Sequence, residues 1–170
     1  MDSDKLMRGI IPGIIAGYLF LAFIGAGNMV SVEMGTMGEG DAAVEFVSDV
    51  STSMSNGMLE MVGEMIGADA FIGFILHIII SAVIGALYTG LFMQYVDLGS
   101  PLYNIAVGGL IYGVIWWILG GLIIMPAIAG GDLLQIDLNS PSLFGHIMFG
   151  HALAFLVVIR DAALGMGDDE

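Results

Sequence analysis

No cysteine occurs in this chain of 170 residues, and only Lys5, Arg8 and Arg160 carry positive charge. The first absence removes thiolate metal sites, thiol catalysis and disulfide stapling. The second removes the basic surface that a nucleic-acid partner requires. Charged residues of both signs make up 12% of the chain, about half the ~25% of a soluble domain. That excludes a soluble globular enzyme and a disordered chain. Phosphate chemistry lacks its cradle, because neither GxxxxGK[ST] nor GxGxxG is present. No HExxH or CxxCH motif occurs either.

What is present is apolar: 58% of residues are hydrophobic, with 26 glycines and 13 methionines, and the mean hydropathy is +0.95. The class is a polytopic membrane protein. Seventeen acids against three bases give a net charge of −14. Dense carboxylates keep proteins hydrated in strong salt, so the composition points to a halophilic archaeon as source.

Uncharged runs locate the spans. There are 24 such residues between Arg8 and Glu33, 27 between Asp69 and Asp97, 34 between Asp97 and Asp132, and 22 between Asp137 and Arg160. Each exceeds the ~20 residues that cross a bilayer core as helix. The expectation is an all-α four-transmembrane-helix bundle in one domain, with spans near 9–31, 70–94, 102–128 and 141–160. Asp69, Ser100-Pro101 and Ser140-Pro141 supply start signals, and Met125-Pro126 with Gly130-Gly131 a stop.

Four crossings put both termini on one side, together with all three bases. Positive residues stay in the cytoplasm, so both termini are expected inside a cell membrane. Ten of the 17 acids fall in the two outer connections, residues 32–69 and 129–140. The first span has signal-peptide features, including the small-residue site Gly25-Ala26-Gly27. Its uncharged stretch is longer than the ~7–15 residues of a signal core, which argues for a retained helix.

Residues 13–29 set over 109–125, an offset of 96, align Gly13, Gly17, Gly25 and Met29 with Gly109, Gly113, Gly121 and Met125. This weak repeat is compatible with a two-plus-two hairpin duplication. Small residues recur at every fourth position: Gly9, Gly13 and Gly17; Gly73, His77, Ser81 and Gly85; Gly109 and Gly113; Ser142, His146 and Gly150. Such faces let helix backbones approach closely, within the chain or against partner subunits.

Inside the spans the readily titratable side chains are His77, His146 and His151. Intramembrane ionisable groups are functional candidates. All three are expected in the outer half, with His77 and His146 facing one another at similar depth. There that pair suits haem b ligation, or copper with Met29 or Met125 as a soft ligand. The alternatives are hydrogen-bonded packing, with Ser81 one turn from His77, and proton handling. His151, five residues after His146, points elsewhere, toward Phe155 and lipid or a partner. Trp116 and Trp117, near the middle of the third span, are read as filling glycine notches.

Residues 41–67 form an amphipathic outer stretch. Val47, Val50, Met54, Met58, Met61 and Met65 line one side, and Glu45, Asp49, Glu60 and Glu64 the others, with a break at Ser55-Asn56-Gly57. Seven methionines in residues 29–65 suit copper(I) capture or adaptable packing.

The segments LHIIISAVIGALY (76–88), GGLIYGVIWWILGGLIIMP (108–126) and GHIMFGHAL (145–153) together resemble small four-span integral membrane proteins of haloarchaea. They are more distantly similar to bacterial inner-membrane proteins. The resemblance covers about half the chain and implies membrane location and four helices. That family has no established activity, so no catalytic or binding residue carries over.

Three functions remain open. An accessory or assembly subunit of a larger, respiratory-type membrane complex accords with small size and several small-residue faces. It takes the lipid bilayer and other membrane subunits, or a second copy of itself, as partners. A haem- or copper-binding protein would rest on His77 and His146. A small transporter or channel would rest on the duplication and the inner tyrosines, with a neutral solute or protons as cargo. An enzyme is not expected: no nucleophile and base, and no metal set with an acid, is convincingly spaced.

Overall fold

The computed structural model describes residues 3–33, 58–64, 66–136, 138 and 141–165. Helix α1 runs Ser3–Glu33, a short α2 Met58–Glu64, α3 Ala70–Tyr95, α4 Pro101–Ala129 and α5 Pro141–Ala163. The starts follow side-chain capping: Asp69 Oδ1 accepts from Ile72 N at 3.1 Å, and Ser100 Oγ accepts from Tyr103 N at 3.2 Å. Gly130 ends α4 in the left-handed region at φ 72°. Ser140 lies outside the described residues.

Helices α1, α3, α4 and α5 are each long and apolar enough to cross a membrane. The protein is therefore an all-α, multi-pass membrane protein. The helices extend a few residues beyond the expected spans. The largest difference is at the first, which starts at Ser3 and so carries Lys5 and Arg8 within the helix.

Three of the four sides of the bundle are packed helix on helix: α1 against α3, α1 against α5, and α4 against α5. The α1–α3 approach is glycine on glycine. A Cβ on Gly13 would stand 2.8 Å from Gly85 Cα, and one on Gly9 would overlap the Gly85 carbonyl. On the α4–α5 side, a Cβ on Gly113 would lie 2.9 Å from Ile147 Cα, and one on Gly150 3.0 Å from Gly113 Cα. Under the offset of 96, Gly13 corresponds to Gly109 and Gly17 to Gly113. The two hairpins, α1–α3 and α4–α5, thus close on equivalent contacts.

The fourth side, α3 against α4, is joined by aromatic rings. Tyr112 lies 4.9 Å from both Tyr88 and Phe92, ring centre to ring centre. The Tyr112 hydroxyl also donates to the Ile84 carbonyl at 2.5 Å. Both helices widen to π-helix in this region, α3 over Tyr88–Phe92 and α4 over Asn104–Gly108. A third π segment, Trp117–Ile124, occupies the other half of α4. Trp117 begins it, buried, and lies against Gly121 one turn on, where a Cβ would be 3.3 Å from the indole.

Of the expected amphipathic outer stretch, residues 34–57 lie outside the described residues, as does Met65. The remainder, α2, packs against the start of α3. Among its described side chains Leu59 and Val62 are buried, while Glu60 and Glu64 are exposed. The sequence reading omitted Leu59 and Val62 from the apolar stripe. Their burial follows from how closely α2 approaches: a Cβ on Gly73 would overlap the Leu59 carbonyl, and one on Gly63 the Asp69 carbonyl. Gly73 therefore packs against α2, not against another spanning helix.

Candidate functional site

The core centres on Phe20 of α1, 5% exposed. Its ring stacks on His77 of α3 at 5.6 Å and meets His146 of α5 edge-on at 4.8 Å. The two histidines expected to face each other are thus brought to one aromatic neighbour. Small residues make the room. Gly17 of α1 faces Ser81 and His77, and Gly120 and Gly121 of α4 face His146.

Each ring has one nitrogen on a backbone carbonyl. His77 Nε2 lies 3.1 Å from the Gly17 oxygen across the α1–α3 interface. His146 Nδ1 lies 2.7 Å from the Ser142 oxygen within its own helix. Carbonyls only accept, so these nitrogens are the donors and the tautomers follow: Nε2–H at His77 and Nδ1–H at His146. Among the described residues no carbonyl or hydroxyl takes up His77 Nδ1 or His146 Nε2. Those two atoms remain as lone pairs. Ser81 and Ser142 stand one turn from the histidines at 3.5 Å, in opposite order along their helices.

His151 departs from expectation. Its ring lies against α4, with Nδ1 2.8 Å from the Ile147 oxygen and Nε2 3.1 Å from the Ala106 oxygen. The glycine approach explains this: a Cβ on Gly109 would be 3.0 Å from His151 Cα, so α5 sits close enough for the imidazole to reach over α4. Ala106 is five residues into α4, so His151 belongs to the half of the bundle that carries the termini. His77 and His146 occupy the other half.

No protein family, curated protein or solved structure matches this chain. The site must therefore be read from its own geometry. Among the described residues no three His, Asp or Glu side chains gather as a metal-binding group. The side chain of Met29, one of the two soft ligands considered, lies outside the described part.

Sequence reasoning missed a second cluster at the end where α1 begins and α5 finishes. Arg8 and Asp161 form a two-pronged ion pair, with Nη2 at 2.6 Å and Nε at 3.3 Å from the two carboxylate oxygens. Arg160 reaches the same carboxylate at 3.2 Å. Their separation by 153 residues hides the pair from any local pattern.

Beside it opens a vestibule of about 960 Å³ between the ends of all four spanning helices, with Lys5, Arg8, Thr89, Gln94, Asp97 and Asn104 in its lining. Thr89 ties two walls together, its hydroxyl donating to the Lys5 carbonyl at 2.6 Å. Asp97, exposed on the α3–α4 turn, accepts from Gly99 N at 3.0 Å and Asn104 Nδ2 at 3.2 Å. Those donors, the Gly99 amide first, hold its carboxyl below the usual aspartate value.

Proposed function

We propose that this protein is a non-catalytic integral membrane subunit, an accessory or assembly component of a larger complex in the cell membrane. Both termini face the cytoplasm in this reading. The observation that carries it is the engagement of the intramembrane histidines: His77 on the Gly17 carbonyl, His146 on the Ser142 carbonyl, both against Phe20. The His77 bond crosses from α3 to α1 and the His146 bond stays within α5, so one imidazole ties two helices and Phe20 of α1 packs against both. The placement of Lys5, Arg8 and Arg160 at one end supports the orientation. The resemblance to small four-span haloarchaeal proteins accords with it.

Mild-detergent extraction of native membranes, followed by size separation and identification of co-migrating chains, tests the proposal. Constant-ratio migration with larger polypeptides is expected. Migration alone, at the mass of one or two copies, would overturn it.

A second reading is favoured by the lone pairs of His77 Nδ1 and His146 Nε2, which are free to ligate haem b or copper. A reduced-minus-oxidised spectrum with metal analysis decides between the two. A haem band or stoichiometric copper, lost in His77→Ala and His146→Ala, selects the cofactor reading. A colourless, metal-free protein selects the subunit.

A further inference from the structure

One side of α1 is left over by the bundle. Gly9, Gly13 and Gly17 turn into α3, and Phe20 turns toward α5. Ile11, Ile15, Tyr18 and Ala22 are all exposed. Their spacing of four, three and four sets them in one line along the helix, the spacing that packs against a second helix. The Tyr18 ring leans edge-on against Phe74 of α3 at 5.5 Å.

Tyr18 carries the one polar side chain of that line, and it stands deep in the hydrocarbon. The nearest charges in α1 are Arg8, ten residues before it, and Glu33, fifteen after it. At 1.5 Å per residue these lie ~15 Å and ~22 Å away along the helix, in a core ~30 Å thick. A phenol is too short to carry its oxygen to the headgroups from there. Tyr95 and Tyr103, exposed at span ends, meet the headgroup zone directly. Tyr18 is 49% exposed, and its hydroxyl has no hydrogen-bond partner among the described residues. A hydroxyl at that depth finds no water, and leaving it unpaired in hydrocarbon is costly.

A second copy of the chain is the poorer occupant of this line. Across a two-fold axis the line would face itself. Of two facing tyrosines, one hydroxyl donates to the other, and the second proton stays unpaired. A different helix is free to bring an acceptor instead. Ala22, small and one turn beyond Tyr18, lets its backbone come close.

We propose that the line Ile11, Ile15, Tyr18 and Ala22 is where a spanning helix of a different subunit docks, presenting a hydrogen-bond acceptor to the Tyr18 hydroxyl. The acceptor is a backbone carbonyl or a Ser, Thr, Asn or Gln side chain near the middle of that helix. The proposal rests on the subunit reading above and gives it an interface.

Photo-crosslinking of the full-length protein in native membranes tests it. Benzoylphenylalanine is placed at Tyr18, and separately at Leu119, 40% exposed on the diagonally opposite helix α4. Tyr18 is expected to couple to the middle of one spanning segment of the co-migrating chain, and Leu119 not to couple to that chain. Tyr18→Phe keeps the ring and should weaken the association about threefold in mixed micelles, the loss of one interhelical hydrogen bond. The unfolding temperature of the protein alone should stay unchanged, because the hydroxyl makes no bond within it. The assignment fails if Tyr18 couples only to lipid or to a second copy, or if Tyr18→Phe associates as the wild type does. If a larger chain co-migrates and couples through Leu119 instead, the subunit reading stands and this interface falls. If the protein migrates alone, both fall.

Discussion

The amide of Leu134 donates to the carbonyl of Leu122 at 2.9 Å, supplying the hydrogen bond that Pro126 cannot. In a regular helix the Leu122 oxygen would accept from residue 126, and proline has no N–H. The connection after α4 folds back to fill the position, which holds Leu134 at φ 59°. A left-handed conformation costs a leucine roughly 1–2 kcal/mol, and glycine far less. The Leu134 side chain is exposed, so little burial is lost on removing it. Leu134→Gly is therefore expected to stabilise the protein by up to about 1 kcal/mol, read as a rise in unfolding temperature in detergent. Leu134→Val should lower that temperature.

The α1–α3 interface allows no side chain at Gly85. A Cβ there would stand 2.6 Å from Gly13 Cα, a backbone atom that cannot move aside without separating the helices. Gly85→Val should destabilise by more than about 2 kcal/mol, in the range of overpacked cores. Gly131→Ala is the control, because its nearest neighbour, Pro126 Cβ, lies at an ordinary 3.8 Å. Equilibrium unfolding in mixed micelles compares the two. Equal stability of both variants would contradict the close-packed interface.

The four spans were legible because hydrocarbon imposes a length and a composition on every crossing, and the uncharged runs obey both. Asp69 and Ser100 were legible as caps because capping is local. The contacts across the bundle were not. Arg8–Asp161 joins the two ends of the chain, and Tyr112–Ile84 joins side chain to carbonyl, with no periodicity to announce either. His77 and His146 could be placed on faces, but Phe20 as their common neighbour needed the third helix in position. His151 was misdirected because its angle around α5 was judged without α4, which Gly109 brings near. The π segments have no spacing rule that could have marked them.

Tyr112, 4% exposed, supplies a polar link on the side of the bundle that is otherwise joined by rings. Its hydroxyl donates to the Ile84 carbonyl, one turn before the π segment at Tyr88. Tyr112→Phe keeps the ring contacts with Tyr88 and Phe92 and removes the hydroxyl with its bond to the Ile84 carbonyl. The expected loss is about 0.6 kcal/mol, the average of interhelical hydrogen bonds in membranes. Tyr112→Ala, which also removes the ring, should cost several times more. If both variants cost the same, the hydroxyl would be the whole of the residue's contribution and the ring account would be wrong.

The turn between α3 and α4 should be sensitive to acid. Asp97 accepts from the Gly99 amide, which a left-handed φ of 72° aims at it, and from Asn104 Nδ2, while the Leu98 amide donates to Asn104 Oδ1 at 2.9 Å. Charge on the carboxylate strengthens the two bonds it accepts, so its folded pKa lies below the ordinary 3.8. For a depressed carboxylate the sign is fixed. The contribution to stability is complete above the unfolded value and is lost as pH falls through the folded one, because the unfolded chain takes up the proton first. Carbon-detected NMR of the Asp97 carboxyl should give a midpoint below 3.8 in the wild type. Asn104→Ala should move it back part of the way, since the Gly99 amide remains. Removing the turn's left-handed residue with Gly99→Ala should move it further, because that donor is the larger cause of the shift. A wild-type midpoint at or above 3.8 would mean that the turn does not hold the carboxylate, and the acid sensitivity would have to lie elsewhere.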